Sequence, residues 1–351
     1  MSLEIPAPDL RRSIVFATDA LEPIIELAQR AERSGFSRVW TTEYPHRDAV
    51  IRSLAIALNT QTIEIGTGVA YAFARLPLAM AAMTADVQRL SAGRFALGVS
   101  AGTRGVRRWF GADFEPPAAA LTAYVTSLRE AWARNGELAV TPPVFGAALG
   151  PVMGRRVAET FDGVLLHPLA LARVHLRDRL LPAVAKGTGT RGDVVSLVAW
   201  CITSVDLDAA RARERARAQL AFYFSTPSYA SVSDGTDWND IPHLVQTAFL
   251  AGDRKALWTE LGALIPDRVV DELTLSGTPS DVAARAVVLE RELAELGITE
   301  VAFAAAGADM TSAEFTSSCD NIITALAVEP VSEPSPAGVS STQPEVAGVN
   351  V

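Results

Sequence analysis

Eight short apolar segments alternate with amphipathic segments along almost the whole of this sequence. The first apolar segment is SIVFAT (Ser13–Thr18) and the last is TEVAFAAAG (Thr299–Gly307). EPIIELAQRAERSG, which follows the first, has apolar residues at helical spacing. Strands that are apolar throughout are typical of parallel sheets covered on both faces. Eight such units favour a closed (β/α)8 TIM barrel, with an open doubly wound sheet as the alternative.

The barrel is expected to form a single domain over residues 1–330. The polar stretch at about 225–266 interrupts the alternation. We interpret it as an insertion near the barrel mouth, because long insertions in compact folds are often lids or binding loops. Residues 331–351 are rich in Ser, Pro and Gly and contain few large apolar residues, which predicts a disordered tail.

Composition excludes several classes of function. The net charge is −9, and Glu214 interrupts the basic run RARERARAQL, so we expect no nucleic-acid partner. Cys201 and Cys319 are far apart in apolar surroundings, which predicts buried thiols, no metal site and a reducing compartment. No apolar run reaches the ~18 residues of a membrane span, and the first residues lack a signal-peptide pattern. The expected location is the cytoplasm, without membrane contact.

Small residues cluster at the carboxyl ends of several predicted strands, where barrels of this kind carry their active sites. Together they would leave room for a flat ring system, and tight barrel packing is the alternative explanation. The set comprises Gly66, Gly68, Ser100, Ala101, Gly102, Ala148 and Gly150.

The segment AALGPVMGRR resembles a strand that runs into a helix. Pro151 stands where the helix would begin. The N–H groups of Ala148, Leu149 and Gly150 would therefore lie at a helix N-terminus, which favours the binding of a phosphate. An ordinary connecting loop is the alternative.

The chain resembles the luciferase-like monooxygenase superfamily in three segments. They are GFSRVWTTEY, IEIGTGVAYAFARLPLAMAAMTADVQRLSAGRFALGVSAGTRGVRRWFG and PPVFGAALGPVMGRRVAETFDGVLLHPL. Within the superfamily it is most similar to the branch of oxidoreductases that use the deazaflavin coenzyme F420. The resemblance covers residues 12–325, and its central pattern is more specific for the superfamily than for the branch.

The resemblance implies a cofactor site. A cis peptide bond between Gly68 and Val69 would support the back of the cofactor ring. Ala148, Leu149 and Gly150 would bind its phosphate, in agreement with the helix-terminus argument. Further cofactor contacts are expected at Ala101, Gly102, Thr103 and His167.

The chain departs from the branch at the expected acid–base positions. Glu43 and Tyr44 replace the Asp-His pair that many deazaflavin members carry after strand two, and Thr103 replaces a catalytic Glu. Glu43 is the first candidate for a cofactor-facing group or proton donor, since burial would raise the pKa of its carboxyl. Tyr44 and His46 are further catalytic candidates, and His167 is an alternate.

The resemblance implies an oxidoreductase that transfers a hydride between F420 and an organic substrate, as a reductase that uses the reduced coenzyme. An FMN-dependent monooxygenase and a non-catalytic flavin-binding barrel are the alternatives. The partners would be a small-molecule or peptide substrate and a second copy in a homodimer. Aromatic candidates for an apolar substrate wall are Tyr223, Phe224, Tyr229 and Trp238.

Overall fold

Eight parallel strands close into a barrel in the computed structural model, which describes residues 10–112, 116–135, 140–192, 194–252 and 257–328. With two short additional strands, the described residues form β1 (Arg11–Phe16), β2 (Arg38–Thr41), β3 (Glu64–Thr67), β4 (Ala70–Tyr71), β5 (Phe95–Ser100), β6 (Val144–Ala148), β7 (Gly163–Leu166), β8 (Ser196–Val205), β9 (Thr274–Gly277) and β10 (Glu300–Ala305). The barrel order is β1, β2, β3, β5, β6, β7, β8, β10, and β10 pairs with both β8 and β1. This closure confirms the predicted TIM barrel over the open sheet.

Helices surround the barrel and cover its outer face. They are α1 (Glu22–Arg33), α2 (Ala49–Asn59), α3 (Pro77–Leu90), α4 (Arg104–Trp109), α5 (Pro117–Asn135), α6 (Pro151–Thr160), α7 (Arg173–His175), α8 (Leu181–Thr188), α9 (Ala209–Phe224), α10 (Ile241–Ala251), α11 (Trp258–Gly262), α12 (Asp267–Leu273), α13 (Pro279–Glu295) and α14 (Ser312–Ala325). Their apolar stripes pack on the strands in one large cluster, and a second cluster fills the barrel interior.

Two short strands lie outside the predicted set of eight. β4 pairs with β5 at Ala70 and Val99, and β9 pairs with the last residues of β8. Both are too short to show a period in the sequence, and neighbouring strands supply their hydrogen-bond partners. Neither strand changes the closure of the barrel.

The stretch at 225–266 is largely helical where the structure describes it. A 3₁₀ turn at Pro227–Ser233, α10 and α11 pack against α9. Their apolar side chains form one hydrophobic cluster with those of α9, α12 and neighbouring segments. Phe224 and Trp238 are fully buried in that cluster, with ring centroids 5.9 Å apart. These two aromatic residues therefore stabilise the insertion instead of forming the expected substrate wall.

The composition led to predictions about the cysteines, metal ligands and membrane contact. Cys201 and Cys319 are free and buried, and burial raises the pKa of the Cys201 thiol to about 12. In the described ranges, no group of three or more His, Cys, Asp or Glu side chains is arranged to hold a metal ion. No described helix is long and apolar enough to cross a membrane. The tail at 331–351 lies outside the described residues.

Candidate cofactor site at the barrel mouth

The chain leaves β3 at a bulge, Gly68–Val69, before it rejoins the sheet as β4. A cis peptide bond joins these two residues, as the resemblance implies. The N–H of Gly68 donates to the carbonyl oxygen of Thr41 at 2.6 Å. Val69 is half-buried and packs against the barrel's interior cluster, at the end where the carboxyl ends of the strands meet. We call this end the barrel mouth.

Trp200, on β8, forms the surface on which the bulge rests. A Cβ atom added at Gly68 would lie 2.3 Å from Cζ2 of Trp200, so only glycine fits this contact. The indole Nε1 of Trp200 is buried and has no hydrogen-bond partner among the described residues. A buried, unpaired N–H is costly, and a bound acceptor would satisfy it. The sequence did not indicate Trp200, because it lies in an otherwise apolar strand.

Glu43 lies beside the bulge and is 5% exposed. Its Oε1 accepts from Nη2 of Arg75 at 2.7 Å, and its Oε2 accepts from the N–H of Tyr71 at 2.6 Å. Burial raises the pKa of Glu43, and the hydrogen bonds and charge of Arg75 oppose that rise. Both carboxylate oxygens therefore bind protein groups. The proton-donor role of Glu43 stays a prediction.

Tyr44 and His46 lie at the rim of the mouth. The ring of Tyr44 contacts His46 and Trp109, with centroids 5.4 and 5.7 Å apart. Nε2 of His46 is 3.0 Å from Oδ2 of Asp19, and the His46 side chain is 57% exposed. The structure thus brings these two predicted residues together at the solvent edge, whereas Glu43 is buried.

His167 follows β7 and lies under the insertion. Its Nδ1 accepts from the N–H of Leu169 at 3.2 Å, so a neutral ring carries its proton on Nε2. Burial lowers the pKa of His167 to about 3, which keeps the ring neutral near pH 7. The rings of Tyr223 and Tyr229 lie 4.9 and 4.7 Å from it, between centroids. These two tyrosines pack around His167, and their role in a substrate wall stays a prediction.

The predicted phosphate segment connects β6 to α6. The carbonyl oxygen of Ala148 accepts from the N–H of His167 at 3.0 Å, and the carbonyl oxygen of Leu149 lies 2.7 Å from Nε2 of His175. Gly150 is the N-cap of α6, and a Cβ added there would meet no atom within 4 Å. Open space therefore lies beside a helix N-terminus, an arrangement suited to an anion. His175 lies 26 residues beyond its partner Leu149 in the sequence, and no local pattern marked it.

The residues after β5 form another wall of the mouth. Gly102 has φ +65°, and its N–H donates to Oγ of Ser100 at 3.0 Å. Thr103 caps α4 by accepting from the N–H of Val106. A Cβ at Gly102 would lie 3.3 Å from the ring of Tyr71, so Ala101, Gly102 and Thr103 adjoin the bulge side of the mouth.

The sequence profile described as luciferase-like monooxygenase matches residues 6–299 of this chain. This chain belongs to that family. Among its relatives, the 5,10-methylenetetrahydromethanopterin reductase of Methanolobus tindarius is 27% identical over 302 residues, which cover 81% of this chain and 90% of the relative.

Solved structures of luciferase-like proteins share the fold. The coenzyme F420 dependent tetrahydromethanopterin reductase from Methanopyrus kandleri superposes with a TM-score of 0.71 at 19% identity, covering 90% of this chain and 98% of that chain. An F420-dependent secondary alcohol dehydrogenase, in complex with an F420-acetone adduct, has a TM-score of 0.65 at 17% identity, covering 90% of this chain and 99% of that chain.

Proposed function

We propose that this luciferase-like protein is an oxidoreductase that transfers a hydride between coenzyme F420 and an organic substrate, working as a reductase with the reduced coenzyme. The observation that carries the proposal is the Gly68–Val69 bulge at the mouth of a barrel that is similar to two solved structures described as F420-dependent. The substrate is a small organic molecule or a peptide.

The residues at the mouth fit a flat, anionic cofactor. The unpaired Nε1 of Trp200 offers a donor beside the bulge, and the open N-terminus of α6 at Gly150 suits a phosphate. Val69 would support the ring, while Ala148, Leu149 and Gly150 would hold the phosphate. Ala101, Gly102 and Thr103 would line the remaining wall.

When bound, F420 supplies the hydride, and the protein supplies position and electrostatics. Neutral His167 would present its Nε2–H as a hydrogen-bond donor that keeps the same charge through neutral pH, because its pKa is about 3. Tyr223 and Tyr229 would exclude water on that side. Tyr44 and His46 stay candidates for proton supply from the rim.

Titration with F420 and, separately, with FMN tests the cofactor. We expect F420 to bind at micromolar concentration and to quench the intrinsic fluorescence of the protein, and we expect FMN to bind more weakly. Tight binding of FMN alone, with oxygen-dependent turnover, would favour the luciferase-like monooxygenase reaction instead. Binding without turnover across a broad panel of carbonyl and unsaturated substrates would favour the non-catalytic barrel.

We also propose a homodimer through α2 and α3, which contact each other. This surface exposes aliphatic side chains: Ile51 is 50% exposed, Leu58 is 58% and Leu78 is 72%. Light scattering after size-exclusion chromatography should give twice the mass of one chain, and Leu58→Glu should give a monomer. A monomeric wild-type protein at micromolar concentration would contradict the proposal.

A further inference from the structure

We infer that Glu43 is a positioning residue that fixes the shape of the Gly68–Val69 bulge. Its link to cofactor binding rests on the proposed function, whereas its effect on the bulge is a property of the protein alone. This role differs from that of the proton donor that the sequence suggested.

Glu43 contacts the bulge itself and the strand that follows it. Its backbone N–H donates to the carbonyl oxygen of Val69 at 3.2 Å. Its Oε2 accepts from the N–H of Tyr71, two residues further on, at 2.6 Å. Because the chain departs from the regular ladder of β3 at the bulge, backbone groups in the bulge and just after it need such partners, and Glu43 supplies one for each.

Arg75 fixes the carboxylate in this position. Its guanidinium binds both Glu43 oxygens, at 2.7 and 3.1 Å, and also pairs with Asp48. The hydroxyl of Tyr124 donates to the carbonyl oxygen of Arg75 at 3.0 Å. The Glu43 and Arg75 side chains are 3% and 13% exposed. A bidentate pair of this kind has a defined geometry, so the Glu43 carboxylate has little freedom to turn toward a substrate.

Glu32 provides a matched control at the other end of β3. Its Oε1 accepts from the N–H groups of Gln61, Thr62 and Ile63 at 2.8, 2.6 and 2.9 Å. It therefore braces the backbone that enters β3, as Glu43 braces the backbone that leaves it. Glu32 is far from the mouth, since it lies on the amino side of the strand.

Amide hydrogen exchange in the unliganded protein tests directly whether Glu43 holds the backbone at the bulge. In Glu43→Ala we expect the amide of Tyr71 to exchange about tenfold faster or more, as loss of a hydrogen bond to a charged group implies. In Glu43→Gln, whose amide oxygen still accepts, much of the protection should return. Glu32→Ala should accelerate exchange at Gln61, Thr62 and Ile63 and leave Tyr71 unchanged.

Cofactor titration of the same variants separates positioning from proton donation. A positioning role predicts that Glu43→Ala weakens F420 binding about tenfold or more and that Glu43→Gln largely restores it. Unchanged affinity and unchanged Tyr71 exchange in folded Glu43→Ala would overturn the inference. If the wild-type protein binds neither F420 nor FMN, the proposed function fails, while the exchange result still decides the role of Glu43. If Glu43→Ala does not fold, Glu43→Gln and Arg75→Met decide together. Wild-type protection of the Tyr71 amide in Glu43→Gln, with faster exchange of that amide in Arg75→Met, then supports the inference. Unchanged exchange of the Tyr71 amide in Arg75→Met overturns it.

Discussion

Replacement of Gly68 by leucine is expected to abolish cofactor binding to this barrel. A Cβ at position 68 would lie 2.3 and 2.8 Å from two ring atoms of Trp200 and 3.2 Å from Cβ of Trp40. Because Trp40 is fully buried, the larger side chain has to displace the bulge or the Trp200 ring. Either movement would change the surface that Val69 presents at the mouth. Fluorescence titration with F420 should show at least a hundredfold loss of affinity, about 2.7 kcal/mol.

Gly105→Leu is the matched control for this substitution. Gly105 lies on α4 near the mouth, and a Cβ there would meet only Oγ1 of Thr103, at 3.8 Å. This variant should bind the cofactor as the wild type does. Far-ultraviolet circular dichroism and the melting temperature should show that both variants are folded. Wild-type affinity in folded Gly68→Leu would show that the bulge is not part of the cofactor site.

Replacement of Arg38 by methionine is expected to lower the free energy of unfolding by about 3–5 kcal/mol. The Arg38 guanidinium pairs with Glu300 and Glu64 and lies 4.9 Å from the ring centroid of Trp40. The Glu300 side chain is 3% exposed. Without Arg38, its carboxylate still accepts a hydrogen bond from Nε1–H of Trp40 at 2.9 Å but loses its counter-charge. Glu64 retains a second partner in Arg11, at 2.8 Å. Urea unfolding, followed by tryptophan fluorescence and circular dichroism, measures the loss.

A double variant identifies the cause of this destabilisation. Arg38→Met combined with Glu300→Gln removes the uncompensated charge and keeps an acceptor for Trp40, so much of the lost stability should return. Arg155→Met is the control for an exposed ion pair, since Arg155 pairs with Glu159 on α6 and is 53% exposed. It should cost less than about 1 kcal/mol. A loss of that small size in Arg38→Met would contradict a stabilising role for the buried pair.

The candidate site was predictable where it depends on backbone. Pro151 is a local signal for the start of α6, and the structure has a helix N-terminus there. The cis bond at Gly68–Val69 was implied by the family resemblance, and the structure has it. The hydrogen-bond partners of side chains at the site were harder to predict from the sequence. Glu43 was correctly placed at a strand end, but its partner Arg75 lies 32 residues away, and nothing near either residue indicates the pair.

The sequence by itself determined the barrel and the location of its mouth, because alternating periods of apolar residues specify strands and helices, and eight such units close only in a few ways. The tertiary structure alone decided which side chains meet there. Trp200 reaches Gly68 across the barrel, and His167 meets Tyr229 from the insertion. The physical reason is that these contacts depend on strand register and on packing between distant segments, which leave no periodic trace in the chain.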